Sequence, residues 1–473
     1  MTVPRRRSRR QQGVTYDDLT GTLRERTVVA LADPVLATNL RTAGEAWSEQ
    51  QAKMKGDYDF DQMRDRARDI RRSNIRELPA LLAQLQNSVR EQGGTVVRAA
   101  DGAEACRYIV GLARARGVRV VAKSKSMATE EIKLNDALED AGLEVVETDL
   151  GEWILQLAHE HPTHIIAPAI HMNRERVADL FREEAGTNDV PDDREGLVAH
   201  ARMRLREKFA QADIGISGVN LGVASTGTLC IVENEGNARL VTSQPRIHVA
   251  VMGMERVVAD WDQAAHILEV LPMAAIGYDA ANYVNLITGP RREGETDGPE
   301  ELHLVIVDGG RGALRGTEFE EALSCIRCGA CLYSCPVWRN VGGQTYGSPY
   351  SGPIGAVITP LLEGPASPGS RDLPFMSSLC GACGDVCPVG IPLPDLLVRA
   401  RARSSSPHKT RTGIGFRIWS HLWRHRLTYR LTIVAWRLAL RIRGKGGWVH
   451  RLPGPGANWT EVRDMPSKWP PHR

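Results

Sequence analysis

The chain has 473 residues, enough for roughly two to four domains with sizeable cores. Hydrophobic residues make up 42% and charged residues 25%, which excludes wholesale disorder, a collagen-like repeat and a small disulfide scaffold. The net charge of +3 hides an uneven distribution: Leu396 to Thr460 holds 14 Lys and Arg and no acid, against 46 basic and 57 acidic residues elsewhere.

The amino terminus opens with Arg5, Arg6, Arg7, Arg9 and Arg10, but Tyr16, Asp17 and Asp18 interrupt before an apolar stretch of signal-peptide length can form. No run approaches the ~20 apolar residues of a membrane span. The expectation is a cytoplasmic protein with reduced thiols, where clustered cysteines bind metal or carry redox chemistry.

Residues 1–90 read as a polar helical extension, with Arg64–Arg76 (RDRARDIRRSNIR) mixing charges at helical spacing. Residues 91–310 alternate short β-rich runs with helical ones. Strands are predicted at Thr95–Arg98, Val118–Ala122, Glu144–Glu147, Thr163–Ala167, Ile214–Ile216, Ile247–Met252 and Leu304–Val307. Helices are predicted up to Arg116 and over Thr129–Ala141, Arg174–Arg182 and Leu197–Gln211. This alternation predicts an α/β domain with a mostly parallel sheet. Leu229–Glu233 and Arg239–Thr242, joined by NEGNA, read as a hairpin, and Gly289–Pro299 as a surface loop.

Several residues in this region invite a functional reading and receive a plainer one. His159, His161, His164 and His171 span a turn into a predicted strand, where imidazoles would point in different directions, so they read as solvated or capping groups. Ser225-Thr226-Gly227-Thr228 could present donors to an anion, but such turns are common in any βα fold. Glu233 reads as a turn carboxylate in preference to a nucleophile. Cys106 and Cys230, among apolar neighbours, read as buried inert thiols. No GxGxxG follows a strand, so nothing supports a dinucleotide site.

Residues 311–400 are rich in glycine, proline and cysteine and hold seven of the nine cysteines. The first motif is Cys325-x2-Cys328-x2-Cys331-x3-Cys335-Pro336, the spacing of a bacterial ferredoxin run. Three thiolates at that spacing wrap one corner of a cubane, whereas zinc sites want ligands in two pairs. The second motif, Cys380-x2-Cys383-x3-Cys387-Pro388, lacks the first cysteine, and Ser377 stands in its place. If the ligands cross over as in two-cluster ferredoxins, Cys325, Cys328, Cys331 and Cys387 hold one cluster, and Cys335, Cys380 and Cys383 the other. The second cluster is then one thiolate short, either a cubane with a non-cysteine ligand or a three-iron cluster. Between the motifs, Ile354–Leu362 reads as a short apolar helix.

Residues 401–473 form a basic, tryptophan-rich tail. Leu427, Leu431, Val434, Leu438 and Ile442 lie near helical spacing beside Arg426, Arg430, Arg437 and Arg441, with Trp419, Trp423 and Trp436 nearby. A basic amphipathic helix of this kind suits a membrane surface or an acidic protein partner, and equally suits packing on its own acidic body. Nothing base-reading accompanies the charge, so nucleic acid is not expected.

CIRCGACLYSCPVWRNVGG, YSGPIGAVITPLL and LCGACGDVCPVGIP together resemble the lactate-utilisation protein B family. Upstream, SKSMATEEIKLNDALEDAGLEVVETDLGEWILQL, PTHIIAPAIH and GVASTGTLCIVENEGNARLVTSQPRIHV resemble its lactate-utilisation domain. The resemblance covers roughly residues 60–400. It implies an α/β domain similar to the isomerase and CoA-transferase fold, followed by an α-helical ferredoxin-type module with two [4Fe-4S] clusters. The family's cluster ligands map onto Cys325, Cys328, Cys331, Cys335, Cys380, Cys383 and Cys387. It implies electron transfer in the oxidation of L-lactate to pyruvate, with a second iron–sulfur subunit and a lactate-utilisation-domain subunit as partners. The rival reading makes the α/β domain itself a catalyst of isomerase or acyl-transfer type.

Overall fold

Carboxylate and hydroxyl caps start the first helices. Thr22 and Glu25 form a reciprocal capping box ahead of the Leu23–Leu31 helix. Asp33, followed by Pro34 at the first helical position, accepts from the N–H groups of Val35 at 2.9 Å and Leu36 at 3.1 Å and starts Pro34–Asp57. The computed structural model describes residues 22–281, 283–364, 367, 369–404, 411–444, 446–453, 457–460 and 464–467, so the Arg5–Arg10 run lies outside the described residues. The chain divides into two units, Met1–Ser404 and Ser405–Arg473.

Along Pro34–Asp57, Leu36, Leu40, Gly44, Trp47, Gln51 and Met54 recur at three- and four-residue intervals and form the buried face. Trp47 Nε1 and Gln51 Nε2 donate to the carbonyls of Ala274 (3.2 Å) and Met273 (2.5 Å). Those carbonyls belong to the last turn of the Trp261–Ile276 helix, where Met273 also accepts from the N–H of the capping Gly277. The amino-terminal helices share one core with that helix and with the cysteine-rich segment, including Tyr333, Trp338 and Val357.

The ten strands of the large unit are β1 Thr95–Ala99, β2 Val120–Lys123, β3 Glu144–Glu147, β4 Ile214–Gly218, β5 Leu221–Val223, β6 Thr228–Glu233, β7 Ile247–Gly253, β8 Val257–Val258, β9 Tyr283–Ile287 and β10 Glu301–Val307. Six of them form an all-parallel sheet in the order β1-β10-β7-β4-β2-β3. Every residue of β7 is buried, as a central strand covered on both faces requires. A second sheet, β8-β5-β6-β9, pairs β6 antiparallel with both β5 and β9.

Three sequence expectations change. Arg239–Thr242 is not a strand: it lies within the Asn237–Ser243 helix, because the Glu233 carboxylate accepts from the N–H groups of Ala238 (2.6 Å) and Arg239 (3.1 Å) and caps that helix. The true hairpin partner of β6 is β5. Thr163–Ala167 is irregular, since His164 Nδ1 accepts from the N–H groups of Ile166 (3.1 Å) and Ala167 (3.2 Å) and folds the β-branched run into a turn. Thr129–Ala141 splits into Met127–Glu131 and Leu134–Asp140, with Lys133 left-handed between them at φ 53°. The edge strand β9, mostly exposed, had no signal in the alternation.

In the carboxyl-terminal unit two helices, Arg411–Arg424 and Arg426–Arg443, stand where the sequence suggested one continuous amphipathic run, and a short helix follows at Ala457–Thr460. Leu440, Val449 and Leu452 form its small core, while Leu427, Leu431, Val434, Leu438 and Ile442 are exposed. Among the described residues no helix is long and apolar enough to cross a membrane.

Buried arginines join the α/β sheets to the cysteine-rich segment. Arg71, on the Phe60–Arg76 helix, donates to the carbonyls of Glu255 (2.5 Å), Val257 (3.4 Å), Leu323 (3.2 Å) and Ser324 (3.2 Å). Glu255, 2% exposed, pairs with Arg311 at 2.7 Å and Arg327 at 3.0 Å. Burial alone would raise the Glu255 carboxyl, but Arg311, Arg327 and Arg256 hold it down at about 2. Arg71→Met should leave four buried carbonyls without their donor and cost roughly 2–4 kcal/mol in urea unfolding of the whole chain. Arg71→Lys should not restore it, because an ammonium cannot serve the same spread of acceptors.

Candidate metal centre

The two cysteine motifs fold alike because the same backbone positions turn left-handed. In the first, Arg327 (φ 60°) and Gly329 (φ 80°) bend the chain so that successive thiols face one side. In the second, Leu379 (φ 56°) and Gly381 (φ 93°) occupy the matching places. Short helices follow at Ala330–Tyr333 and Ala382–Asp385 and carry Cys331 and Cys383.

Cys325, Cys328, Cys331 and Cys387 line one small cavity, walled also by Ile165, Arg327, Ile354 and Val389. Cys328, Cys331 and Cys387 are buried. Burial pushes the Cys328 and Cys331 thiols up, and the neighbouring Cys325 and Cys387 push them further. Cys387 is raised to about 11 by burial and by Cys325. Cys335, Cys380 and Cys383 stand together apart from these: burial raises Cys335 with Cys380 adding to it, and burial, Cys335 and Cys380 raise Cys383 to about 12. The structure thus places the last thiol of each motif beside the first thiols of the other.

Each sulfur faces backbone donors. Arg327 N–H donates to Cys325 at 3.4 Å and Ile391 N–H to Cys387 at 3.3 Å. The N–H groups of Ala330 and Ile354 face Cys328 and Cys331, those of Trp338 and Val337 face Cys335, and that of Gly384 faces Cys383. The exposed Cys380 thiol is lowered by the Ala382 N–H and by the Ser378 side chain. Such donors stabilise thiolates and not thiols. Among the described residues no three His, Cys, Asp or Glu converge on a point that would hold a single ion. Thiols that surround a space and accept N–H bonds fit a cluster better than a zinc ion.

The histidines are structural. His171 pairs with Glu160 (2.8 Å) and Thr163 (2.8 Å), while burial lowers His164, whose ring lies tilted against Tyr333 with centroids 4.2 Å apart, to about 3. Thr226 and Thr228 are hydrogen-bonded to each other at 2.9 Å, and Thr228 to Thr288 at 2.8 Å, in a turn away from either cavity. Cys106 and Cys230 are buried, with thiols raised by burial to about 11 and about 12. One feature escaped the sequence. A cavity of about 590 Å³ opens beside the first thiol group, with Ser124, Lys125, Asp149, Glu235, Arg256 and Arg327 among its polar lining. These residues are scattered over 204 positions and share no motif, so only the fold collects them.

Comparison with known proteins agrees with this architecture. The family model for the LUD domain matches residues 82–307, and that for a 4Fe-4S dicluster domain matches residues 321–391. The thiol-rich segment is therefore an iron–sulfur module. "Lactate utilization protein B" of Shouchella clausii is 45% identical over 414 residues, 86% of each chain. The proteins of the same name from Bacillus licheniformis and Oceanobacillus iheyensis are each 44% identical, over 86% and 84% of each chain. A crystal structure of a DUF162 family protein from Deinococcus radiodurans is 12% identical and covers 49% of this chain and 98% of its own, with a TM-score of 0.28. An α/β domain with a mostly parallel sheet, the paired thiol groups and this degree of identity lead to one assignment: the chain belongs to the lactate utilization protein B family.

Proposed function

We propose that this chain is an iron–sulfur electron-transfer protein of lactate utilisation, acting with other lactate-utilisation subunits in the oxidation of L-lactate to pyruvate. The observation that supports it most is the exchange of last thiols between the two motifs, the arrangement of a two-cluster ferredoxin. In this reading Cys325, Cys328, Cys331 and Cys387 hold the first [4Fe-4S] cluster, and Cys335, Cys380 and Cys383 hold the second. Bound clusters supply one-electron acceptance and release. The chain holds the thiolates with backbone N–H groups, keeps water from the first group by burial, and brings the second to the surface at Cys380, where a partner can approach. Acyl transfer by Glu233 is poorly supported, because its carboxylate is already engaged by Ala238, Arg239 and the Asn285 side chain (2.6 Å).

Anaerobic reconstitution should give about eight irons per chain; a reproducible count near four overturns the two-cluster reading. Cys331→Ser and Cys387→Ser should alter the same EPR signal, and Cys335→Ser should match Cys380→Ser. L-lactate should reduce the clusters only when the partner subunits are present. No reduction in the reassembled system would end the lactate assignment.

A further inference from the structure

We infer that the α/β domain binds a 2-oxo or 2-hydroxy monocarboxylate with an apolar chain, in the cavity set against the first thiol group. The class of acid rests on the function proposed above; the place and the extra length rest on geometry. In open parallel sheets, ligands bind beyond the carboxyl ends of strands, where successive connections leave in opposite directions. That switch lies here between β2 and β4, since the chain proceeds from β2 outward to β3 and from β4 the other way to β7. The cavity lies at this point, lined by Ser124–Ala128 after β2 and by Gly218–Asn220 at the end of β4. Ile165 and Arg327 wall both this cavity and the space among the four thiols.

Its polar lining holds unused donors. Arg256, 5% exposed, has Glu255 at 3.6 Å as its ion-pair partner, and its guanidinium makes no hydrogen bond among the described residues. Glu255 is already shared with Arg311 and Arg327. A buried guanidinium in that state is unfavourable, and a carboxylate answers it with two parallel hydrogen bonds. The buried Ser124 hydroxyl is likewise without a partner. The three acids on the cavity are occupied: Asp149 accepts from the N–H groups of Gly151 and Glu152, Glu235 from that of Leu150, and Glu233 from Ala238, Arg239 and the Asn285 side chain. Leu271, Pro272, Ala275 and Ile276 add an apolar wall. A three-carbon acid would leave most of about 590 Å³ to water, which points to a longer chain.

The test is calorimetric titration of the cluster-loaded full chain with pyruvate, L-lactate and 2-oxooctanoate. All three should bind, 2-oxooctanoate about tenfold or more tighter than pyruvate, because each methylene buried on the wall adds affinity. Arg256→Gln should weaken all three by about tenfold or more. Ala275→Trp, which leaves the charges alone, should abolish 2-oxooctanoate binding, and it decides the matter if Arg256→Gln loses iron. The inference falls if none of the acids binds below about 10 mM, if pyruvate binds as well as 2-oxooctanoate, or if iron-replete variants titrate like the parent. Iron counts and cluster reduction, which titration does not read, judge the functional reading separately.

A second inference comes from the loop backbone. We propose that Ser377 Oγ is the fourth protein ligand of the second cluster, again on the cluster reading above. Ser377 stands where Cys325 stands in the first motif, and the left-handed residues two and four places further on match in both motifs. Leu379 N–H donates to Ser377 Oγ at 3.1 Å, as Arg327 N–H donates to Cys325 Sγ at 3.4 Å. Arg401 holds the loop by donating to the Ser377 carbonyl at 2.7 Å. On ligation the hydroxyl proton passes to solvent as the iron–oxygen bond forms, with no change of oxidation state. Reconstituted Ser377→Ala should fall to about seven irons and show an oxidised three-iron EPR signal, while Ser377→Cys should keep about eight with a shifted spectrum of the second cluster. A parental iron count and spectrum in Ser377→Ala, or a Ser377→Cys protein that behaves like Ser377→Ala, would overturn the assignment.

Discussion

A single buried carboxylate holds the two halves of the large unit in register. Glu255 follows β7, the central strand of the parallel sheet, and receives Arg311 from beyond β10 and Arg327 from inside the first cysteine loop. Arg311 also pairs with Glu131 at 2.6 Å, and the Arg327 guanidinium lies 4.3 Å from the Tyr350 ring centroid. Removing water from so many charges is unfavourable unless each finds a partner, so the set is stable only when the sheet and the cysteine segment meet in one arrangement. Arg71 extends the same logic to the amino-terminal helices, which Trp47 and Gln51 also tie to the Trp261–Ile276 helix.

The arrangement gives the two thiol groups different surroundings. The first lies against Ile165 and against Ile354 of the Gly352–Glu363 helix, with Arg71 and Arg256 both feeling the charge of Cys325. The second reaches the surface at Cys380, beside the exposed side chains of Phe375 and Leu379. Hydrogen bonds to sulfur, nearby charge and exposure to water are the factors by which a protein sets cluster potentials. The groups differ in nearby charge and exposure, while both retain the backbone donors.

The α/β domain contributes more than a platform. Its connections reverse between β2 and β4, and the resulting crevice is closed on one side by the first cysteine loop. A residue of the iron–sulfur module, Arg327, thereby becomes part of the wall of a cavity in the other domain. The fusion of the two segments in one chain has a structural consequence that neither would have alone.

Much of this was legible in the sequence where the controlling interactions are local. Cysteines three residues apart declare a cluster loop because the turn between them is built from adjacent residues, and the alternation of β-rich and helical runs predicts the parallel sheet by the same local logic. The failures mark where a distant or unexpected group won. Thr163–Ala167 has the composition of a strand, but the His164 ring takes the N–H groups a neighbouring strand would have used. Arg239–Thr242 alternates like a strand, but the Glu233 carboxylate supplies a helix cap. The crossover of Cys387 to the first group was suggested by analogy, yet its placement required the chain between the motifs to fold back. The cavity was beyond reach, because Ser124, Arg256 and Arg327 have no common spacing and meet only through the strand order. The sequence by itself determined the local turns and the chemistry of the thiols. Only the tertiary structure decided which charges share the interior, because the cost of burying them depends on partners far away along the chain.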